Sequence, residues 1–596
     1  MDDQLIKGNK SIEAMGRQLT LVLVSLLCVA LAADAAVVER IFHVPIILFF
    51  LIVKNLTISR LCERRVITAV NGSLPGPTLK VSEGDTVVVH VINDSPYNIT
   101  IHWHGIFQKR SAWADGPNMI TQCPIVPGNK YVYKFNVTEQ EGTLWWHAHA
   151  SSLRATVYGA LVIRPRNASY PFPKPYREVP ILLGEWWNAN VVDVETQAFL
   201  SGGSLSNVSD AFTINGRPGH LYKCSKNHAY ELEVVAGETY LLRIINSAVN
   251  NQLFFKIASH SFTVVAVDAS YTNPYHTDVV VIAPGQTVDA LMIADAPPSS
   301  YYMAARAYAS AGLDGPPFDN TTTTAIVRYA NSSNRPLRPS MPSMPAFDDT
   351  RTAHRFYTNL TGLLRPETPA VPLHVDERMF VAFGLGVSPC EPSQVLCNRS
   401  RGAITASMNN VSFQFPASIS LLEAHYNGLD DGAVYTSDFP DNPPVMFDFT
   451  DAKLNTDPTL TALLYTEKGT RVKKVKYGAT VEVVLQNTAM IGAENHPLHL
   501  HGFNFFVLAQ GFGNYNNATA ARDGYNLVDP QVRNTIAVPL RGWAVIRFVA
   551  NNPGVWIMHC HLEQHLPLGL AMAFEVEDGT TPESVLPPPP SDFPTC

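Results

Sequence analysis

Apolar residues in this chain fall mostly into short runs that alternate with turn-forming residues. The runs are rich in Val, Ile, Thr, Phe and Tyr, the residue types that favour extended strands. The chain also contains 44 Pro and 36 Gly, which interrupt helices and form turns between strands. This pattern predicts an all-β protein.

Two longer apolar runs lie near the N-terminus. The first, residues 19–31, follows Arg17 and precedes small residues suited to cleavage after Ala35, which is the layout of a signal peptide. The residues before it are polar and acidic, which suits a signal peptide poorly, so Met15 is a second candidate for the true start. We predict export, with residues 1–35 as the signal peptide.

The second run, residues 44–53, is too short to span a membrane, which takes about 20 helical residues. One interpretation is a buried first strand. The other is a short insertion, because removing residues 45–52 would join Phe42-His43-Val44 directly to Val53-Lys54-Asn55 as one alternating strand. The sequence leaves both interpretations open.

Length and charge narrow the class of protein. At 596 residues the chain is too long for one hydrophobic core, and its length suggests about three domains. The formal net charge is -8, without long runs of one sign, so no basic face for nucleic acid or for an anionic membrane is indicated. We therefore expect neither nucleic acid nor, once the signal peptide is removed, a membrane anchor.

Glycosylation motifs agree with export. A dense set of Asn-x-Ser/Thr tripeptides predicts N-glycans on a secreted protein, although any one of them can stay unoccupied. The motifs lie at Asn55, Asn71, Asn93, Asn98, Asn136, Asn167, Asn207, Asn320, Asn331, Asn359, Asn398, Asn410 and Asn517.

The cysteines point to the same oxidising compartment. Of eight cysteines, Cys28 lies in the predicted signal peptide, which leaves an odd number in the mature chain. Cys560 is the exception because it stands between two histidines. The other six can form three disulfides, and the sequence alone does not fix their pairing.

Histidines cluster in four His-x-His pairs. With 19 His among 596 residues, fewer than one such pair is expected by chance. Alternate side chains of a strand point to the same side, so each pair can aim two imidazoles at one site. A single pair would more often be a surface or hydrogen-bonded core feature. Four pairs favour a cluster of three copper ions with positions left for dioxygen and water, held by His102 and His104, His147 and His149, His499 and His501, and His559 and His561.

Cys560 marks a second kind of site. One Cys thiolate with two imidazoles is the ligand set of a blue copper centre, and His565 and His496 can supply the nitrogens. Because His559 and His561 flank Cys560 and point the other way, a short covalent path would link this copper to the three-copper cluster.

Four further segments carry a family resemblance. They read WADGP at residues 113–117, TQCP at 121–124, LRATVYG at 153–159 and GEWW at 184–187. Together with the histidine pairs they resemble the motifs of multicopper oxidases, and specifically of plant laccases. The resemblance runs from about residue 53 to residue 596.

The resemblance implies a role for each ligand. It assigns type 1 copper to His496, Cys560 and His565, type 2 copper to His102 and His499, one type 3 copper to His104, His147 and His561, and its partner to His149, His501 and His559. It also implies the disulfides Cys62–Cys224, Cys123–Cys596 and Cys390–Cys397.

Three other positions take roles from the same resemblance. The family places the axial residue of the type 1 site at Leu570, which has no ligand atom; a three-coordinate copper has a higher reduction potential, which suits phenol oxidation. Ascorbate oxidases usually carry Met there. Asp115 and Glu563 match acids near the cluster that relay protons, because reduction of dioxygen to water takes four electrons and four protons. The alternative is that Asp115 only shapes a turn and Glu563 only hydrogen-bonds a ligand histidine.

The resemblance also implies three cupredoxin-like Greek-key β-barrel domains, with the cluster between the first and third. We place the domains at residues 36–165, 166–334 and 356–596. Residues 335–355 read as a linker, with a surface loop as the alternative, and the Pro-rich residues 587–590 as a stiff C-terminal arm.

The expected activity is that of a secreted laccase. It would oxidise phenols, such as monolignols, one electron at a time and reduce dioxygen, in the cell wall and as a monomer. An ascorbate oxidase or a ferroxidase would use the same coppers with another electron donor, and a ferroxidase needs acids beside His565 that the sequence does not reveal. A non-catalytic cell-wall protein of the same fold is disfavoured because no ligand is missing.

Overall fold

The computed structural model describes residues 45–596 except 204–207, 223, 226–228, 312–316, 331, 333–337, 430–431, 452–456, 489, 493 and 517–523. The predicted signal peptide with Met15 and Cys28 lies outside the described residues, as do the predicted boundary at residue 334 and the glycosylation motifs at Asn207, Asn331 and Asn517.

Strands dominate the described chain, and their sheets come in three successive pairs. The first pair consists of four-stranded sheets in the orders β2-β1-β4-β6 and β3-β8-β7-β5. Its strands are β1 (Ile46–Arg60), β2 (Glu63–Val70), β3 (Leu79–Ser82), β4 (Thr86–Asn93), β5 (Ile101–His104), β6 (Lys130–Asn136), β7 (Gly142–Ala148) and β8 (Tyr158–Arg164).

The second pair has a six-stranded sheet, β10-β9-β12-β17-β14-β15, and a five-stranded sheet, β11-β19-β18-β13-β16. Its strands are β9 (Arg177–Trp186), β10 (Ala211–Ile214), β11 (Glu231–Val234), β12 (Thr239–Asn246), β13 (Leu253–Ile257), β14 (Phe262–Val267), β15 (Ser270–Thr277), β16 (Val280–Ile282), β17 (Thr287–Ile293), β18 (Ser300–Ala307) and β19 (Thr322–Tyr329).

The third pair has an eight-stranded sheet, β23-β22-β21-β20-β25-β30-β27-β28, and a five-stranded sheet, β24-β32-β31-β26-β29. Its strands are β20 (Glu377–Ser388), β21 (Ala403–Met408), β22 (Val411–Phe413), β23 (Glu467–Gly469), β24 (Val472–Val475), β25 (Thr480–Asn487), β26 (His496–Leu500), β27 (Phe505–Phe512), β28 (Val532–Arg533), β29 (Thr535–Val538), β30 (Gly542–Val549), β31 (Gly554–Cys560) and β32 (Ala571–Val576).

Helices among the described residues are short. They are α1 (Val191–Leu200), α2 (Thr350–Thr358), α3 (Leu421–Tyr426) and α4 (Pro458–Ala462), with single 3-10 turns at Ala112–Ala114, Ser151–Ala155, Glu563–His565 and Pro582–Ser584. None of them is long and apolar enough to span a membrane. Helix α2 begins inside residues 335–355 and packs Phe356 into the core of the second pair. The linker and the three boundaries stay predictions.

Each pair of sheets encloses its own apolar core. Strand β4 illustrates the sequence rule: in TVVVHVIN every second residue is buried, so Val87, Val89 and Val91 enter the first core. Strand β7 differs because all its residues are buried. Leu144 and Trp146 face the first core, which leaves the alternate positions of β7 for the opposite side.

A buried ionic group joins the first pair of sheets to the second. Arg243 Nη1 donates to Thr143 Oγ1 at 2.8 Å and to Asp289 Oδ2 at 2.9 Å, and its Nη2 contacts Glu178 at 3.1 Å. Arg243 is only 1 % exposed. Thr143 is the partner from the first pair of sheets, whereas Asp289 and Glu178 belong to the second, so loss of Asp289 would leave the buried guanidinium without its closest charged partner.

Disulfides follow the pairing that the resemblance implied. Cys62 is bonded to Cys224, Cys123 to Cys596 and Cys390 to Cys397, while Cys560 is free and buried. The C-terminal arm also packs against the first pair of sheets, because Trp113 Nε1 donates to Pro587 O at 2.8 Å. The predicted pairing is confirmed.

One glycosylation motif is unsuited to its predicted role. Asn93 is fully buried, and its Nδ2 donates to Tyr97 O at 2.8 Å and to Ile125 O at 2.7 Å. The nitrogen that would carry a glycan is therefore already used inside the fold. The fold therefore disfavours a glycan at Asn93, in line with the expectation that any one motif can stay unoccupied.

Within the apolar run at residues 44–53, the described residues from Ile46 onward form the start of β1. Residues 46–53 pair in parallel with β4, and residues 53–60 pair antiparallel with β2. Leu51 and Val53 enter the first core, whereas Leu48 and Phe50 are each 52 % exposed. The segment is thus a strand, as one of the two interpretations held, but only one of its faces is buried. Its origin as an insertion stays a hypothesis.

Replacing Leu51 by Ala tests whether this strand supports the fold. Removal of a fully buried Leu side chain costs roughly 2–5 kcal/mol, so the thermal unfolding temperature of Leu51→Ala should fall clearly in calorimetry. Leu48→Ala, on the exposed face of the same strand, is the matched control and should unfold close to the unaltered protein. Equal unfolding temperatures for the two variants would contradict the placement of this strand.

Candidate metal centre

The four His-x-His pairs meet as two half-sites. Strands β5 and β7 pair antiparallel, with His102 opposite His147. Strands β26 and β31 pair in the same way, with His499 opposite His559. The second member of each pair follows at or just beyond the strand end. One half-site comes from the first pair of sheets and the other from the third, about 350 residues apart in the chain.

Ring nitrogens from the two half-sites converge. His104 Nδ1 lies 3.1 Å from His561 Nε2 and 3.5 Å from His147 Nε2. On the other side, His559 Nε2 lies 3.2 Å from His501 Nε2 and 3.4 Å from His149 Nε2. His149, His501 and His559 form a set whose ligand atoms lie within 4.8 Å of one another, and His104 and His147 form such a set with His102. Either set could hold one metal ion.

Two further nitrogens face this space without any partner among the described residues. His102 Nε2 and His499 Nε2 are buried and make no hydrogen bond. A buried polar nitrogen without a partner is costly, and a metal ion would satisfy both. With His501, these two residues form another set whose ligand atoms lie within 4.8 Å of one another.

Burial and crowding lower the pKa of five of the clustered imidazoles and keep them neutral: His104, His499, His501, His559 and His561. Loss of water, followed by the neighbouring rings, lowers the pKa of His104, His499 and His501 well below its ordinary value. Burial, Arg154 and the other rings do the same at His561. Burial lowers the pKa of His559 to about 3. Neutral imidazoles keep the lone pair that a metal ion needs.

Asp115 connects the two half-sites. Its side chain is fully buried, and its Oδ2 accepts a hydrogen bond from His501 Nδ1 at 2.9 Å. Its backbone carbonyl accepts from His102 Nδ1 at 2.8 Å. Asp115 therefore fixes two rings from opposite half-sites with their Nε2 atoms toward the cluster. It does more than shape the turn before Gly116.

A second ligand set lies next to the first. Cys560 Sγ lies 3.5 Å from His496 Nδ1 and 3.5 Å from His565 Nδ1. Burial lowers the pKa of His496 to about 3, so this ring too is neutral. Leu570 is fully buried, and its backbone carbonyl accepts a hydrogen bond from Cys560 N at 3.0 Å. Its side chain offers no ligand atom.

Arg154 is a site residue that the sequence reasoning did not assign, although it lies in the segment at 153–159. Its buried guanidinium donates to His561 Nδ1, to Val249 O at 2.9 Å and to His561 O at 3.0 Å. Its Nε also forms an ion pair with Glu563 Oε2 at 3.0 Å. Burial raises the pKa of Glu563, against the opposing effect of Arg154.

Glu494 is the acid beside His565 that the sequence did not reveal. Its Oε1 lies 3.2 Å from His565 Nε2, and its side chain is 18 % exposed. Burial raises the pKa of Glu494, but the neighbouring His565 outweighs burial and lowers it. A carboxylate therefore stands where the Cys560 site comes nearest to solvent. No spacing signal in the sequence pointed to it.

The second pair of sheets packs against the histidine cluster at Gly285. Gly285 has φ +91°, and a Cβ there would lie 3.0 Å from ring carbons of His561 and 3.1 Å from His104 Cε1. Its carbonyl accepts from Trp145 Nε1 at 3.2 Å. Only glycine leaves room for these rings while adopting this backbone conformation.

Comparison with known proteins gives a consistent result. Family models described as multicopper oxidase match residues 52–168, 177–332 and 438–580. Laccase-14 of Oryza sativa subsp. japonica is 58 % identical, covering 97 % of this chain and 98 % of its own, and Laccase-7 of Arabidopsis thaliana is 58 % identical, covering 96 % and 98 %. The crystal structure of a laccase from Botrytis aclada superposes with a TM-score of 0.68 at 26 % identity, covering 91 % of this chain and 89 % of that one. The predicted fold of three cupredoxin-like domains is confirmed.

The close approach at Gly285 gives a test of the cluster. A Cβ in Gly285→Ala must displace the rings of His561 or His104, so copper content per chain should fall when measured by elemental analysis. Gly237→Ala is the matched control because Gly237 has φ +83° and nothing within 4 Å of a Cβ. Both variants carry about 1 kcal/mol of backbone strain, but only the first should lose copper. Equal copper content would show that the rings do not depend on this contact.

Proposed function

The chain belongs to the laccases of the multicopper oxidase family, and from that premise we propose how its clustered side chains divide four copper ions. That it is a copper-binding oxidoreductase follows from family membership. The proposed sites are type 1 copper at His496, Cys560 and His565, type 2 copper at His102 and His499, and a type 3 pair at His104, His147 and His561 and at His149, His501 and His559.

The observation that best supports this division of the sites is the arrangement of histidines around Cys560. Two imidazole nitrogens lie at 3.5 Å from its sulfur, while the rings on either side of it in the chain belong to the other cluster. His559 and His561 are thus bonded through the backbone to the residue that would hold type 1 copper. The unpartnered Nε2 atoms of His102 and His499 support the type 2 assignment.

Copper bound in these sites supplies one-electron oxidation of phenols at the type 1 position and reduction of dioxygen to water at the other three. The protein's part is to bind, orient and protonate. Asp115 holds the rings of His501 and His102 in a fixed orientation. Arg154 and Glu563 form a buried ion pair beside His561, and a carboxyl whose pKa is raised by burial can carry a proton toward the cluster.

Leu570 supports a phenol oxidase over an ascorbate oxidase. Its buried aliphatic side chain offers no ligand atom, so a copper ion held by His496, Cys560 and His565 would have three protein ligands, which would favour its reduced state and a high reduction potential. Phenols need such a potential.

We further propose secretion to the cell wall, with monolignols or related phenols as substrates, N-glycans on exposed motifs, and a monomeric state. Support comes from the N-terminal signal pattern, the density of Asn-x-Ser/Thr motifs and the disulfides, which persist in oxidising compartments. The curated relatives carry the name laccase.

A second candidate function rests on Glu494. A carboxylate 3.2 Å from His565 Nε2 offers an oxygen ligand to a metal ion that donates its electron there. Oxidation of ferrous iron would use this same edge of the type 1 site. A neutral phenol needs no such charge, although its hydroxyl can donate a hydrogen bond to the carboxylate.

The central test compares electron donors on copper-loaded protein. We expect blue absorption from thiolate-to-copper charge transfer, and oxygen uptake faster with a monolignol than with ascorbate or ferrous iron. Cys560→Ser should lose the blue colour and lower phenol oxidation by roughly 100-fold or more. Colourless protein that consumes no oxygen with any phenol would refute the proposal. Faster ferrous oxidation, lost selectively in Glu494→Gln, would establish the second candidate.

Asp115→Asn tests the proton role separately from the structural one. The amide oxygen can still accept from His501 Nδ1, so copper content should stay normal, whereas loss of a proton carrier should slow oxygen turnover by roughly 100-fold. The loss should be larger at neutral than at acid pH, where solvent supplies protons more readily. An unchanged rate of oxygen consumption from acid to neutral pH would reject this role.

A further inference from the structure

One cluster histidine faces its neighbours with a different nitrogen from the others. In His102, His499 and His501 the Nδ1 atom bonds to a carbonyl or carboxylate oxygen and leaves Nε2 toward the cluster. The same holds for His147 and His559. His104 is reversed, because its Nδ1 lies near His147 and His561 while its Nε2 points away.

Asn534 and Thr535 receive the outward nitrogen of His104. His104 Nε2 lies 3.2 Å from Asn534 Oδ1 and 3.1 Å from Thr535 Oγ1. The same two residues bind His499, whose Nδ1 lies 2.9 Å from Asn534 O and 3.0 Å from Thr535 Oγ1. The rings of His104 and His499 stack at 3.7 Å. One dipeptide therefore bonds to a ring from each half-site.

We propose that Asn534, with Thr535, is a positioning residue that makes His104 present Nδ1 to the cluster and ties its orientation to that of His499. The inference rests on the proposed function, because it concerns how copper ligands are set. Neither residue touches the reacting atoms.

The donor and acceptor of the His104 ring support this assignment. A neutral imidazole has one N–H and one lone pair. Thr535 Oγ1 donates to Asn534 Oδ1 at 2.9 Å, so the lone pairs of both oxygens are left to accept from His104 Nε2–H. That proton assignment leaves the lone pair on Nδ1, which is the atom a metal ion would bind. The reverse assignment would put a proton between His104 and the metal.

The position of Asn534 is itself fixed. Its backbone carbonyl also accepts from Leu500 N at 3.0 Å, which anchors it to the strand that carries His499. A Cβ on Gly105, the residue after His104, would lie 2.5 Å from Asn534 Nδ2. Gly105 therefore leaves the space in which the Asn534 amide meets the ring. Asn534 and Thr535 are both fully buried, so water does not compete for these bonds.

The test is a pair of variants, one of which keeps a side-chain oxygen acceptor at this position while the other removes it. Asn534→Asp keeps an oxygen that can only accept, whereas Asn534→Leu removes it at similar size. We expect Asn534→Leu to weaken copper binding at the cluster about 10–100-fold in chelator competition, with blue absorption retained, and Asn534→Asp to bind within about twofold of the unaltered protein. A crystal structure of copper-loaded Asn534→Asp should show His104 bound through Nδ1.

Controls separate this inference from general damage and from failure of the function. Asn93→Leu removes another fully buried amide that touches no ligand; it should lower the unfolding temperature and keep copper affinity. If Asn534→Leu does not fold, Thr535→Val decides, with a smaller loss of cluster copper expected. Unchanged copper affinity in the folded variants, or equal loss in Asn534→Asp and Asn534→Leu, would overturn the inference. Failure of the proposed function would instead appear in the unaltered protein, as absence of blue absorption.

Discussion

A group of neutral imidazoles buried away from water is the constraint on which the rest of this structure depends. Each ring has one N–H and one lone pair, and both need a partner once water is excluded. The N–H groups of His102, His499 and His501 find backbone or carboxylate oxygens, which directs their lone pairs inward. Inward lone pairs without partners, as at His102 and His499, suit a cluster of metal ions.

That constraint explains the architecture around the cluster. The first and third pairs of sheets each bring one two-strand half-site, so neither pair alone completes it. The second pair places Gly285 against the rings and, through the Val249 carbonyl, holds the guanidinium of Arg154. Its role at the cluster is to exclude water and to hold neighbouring groups in place, which keeps the imidazoles dry and their pKa low.

The Cys560 side of the site is arranged for a different task. Its sulfur and two imidazoles are buried, but Glu494 brings a charge to the outer edge of His565. The Cys560 set therefore has a buried apolar side at Leu570, which offers no ligand atom, and a charged outer side at Glu494. The aliphatic residue would raise the reduction potential of a copper ion held there, and the carboxylate would influence which electron donor approaches.

The sequence by itself indicated the fold class and the candidate ligand residues, because period-two spacing is a local signal, whereas the disulfide pairing came from the family resemblance and was confirmed by the structure. His-x-His on a strand must aim two rings one way, wherever the strand lies. Only the tertiary structure decided what Arg154, Glu494, Asn534 and Gly285 do, because each acts on a residue distant in the chain or through space a side chain would fill. It also decided that Asn93 is buried and that residues 46–53 form a strand with one buried face, since burial depends on which other strands pack nearby.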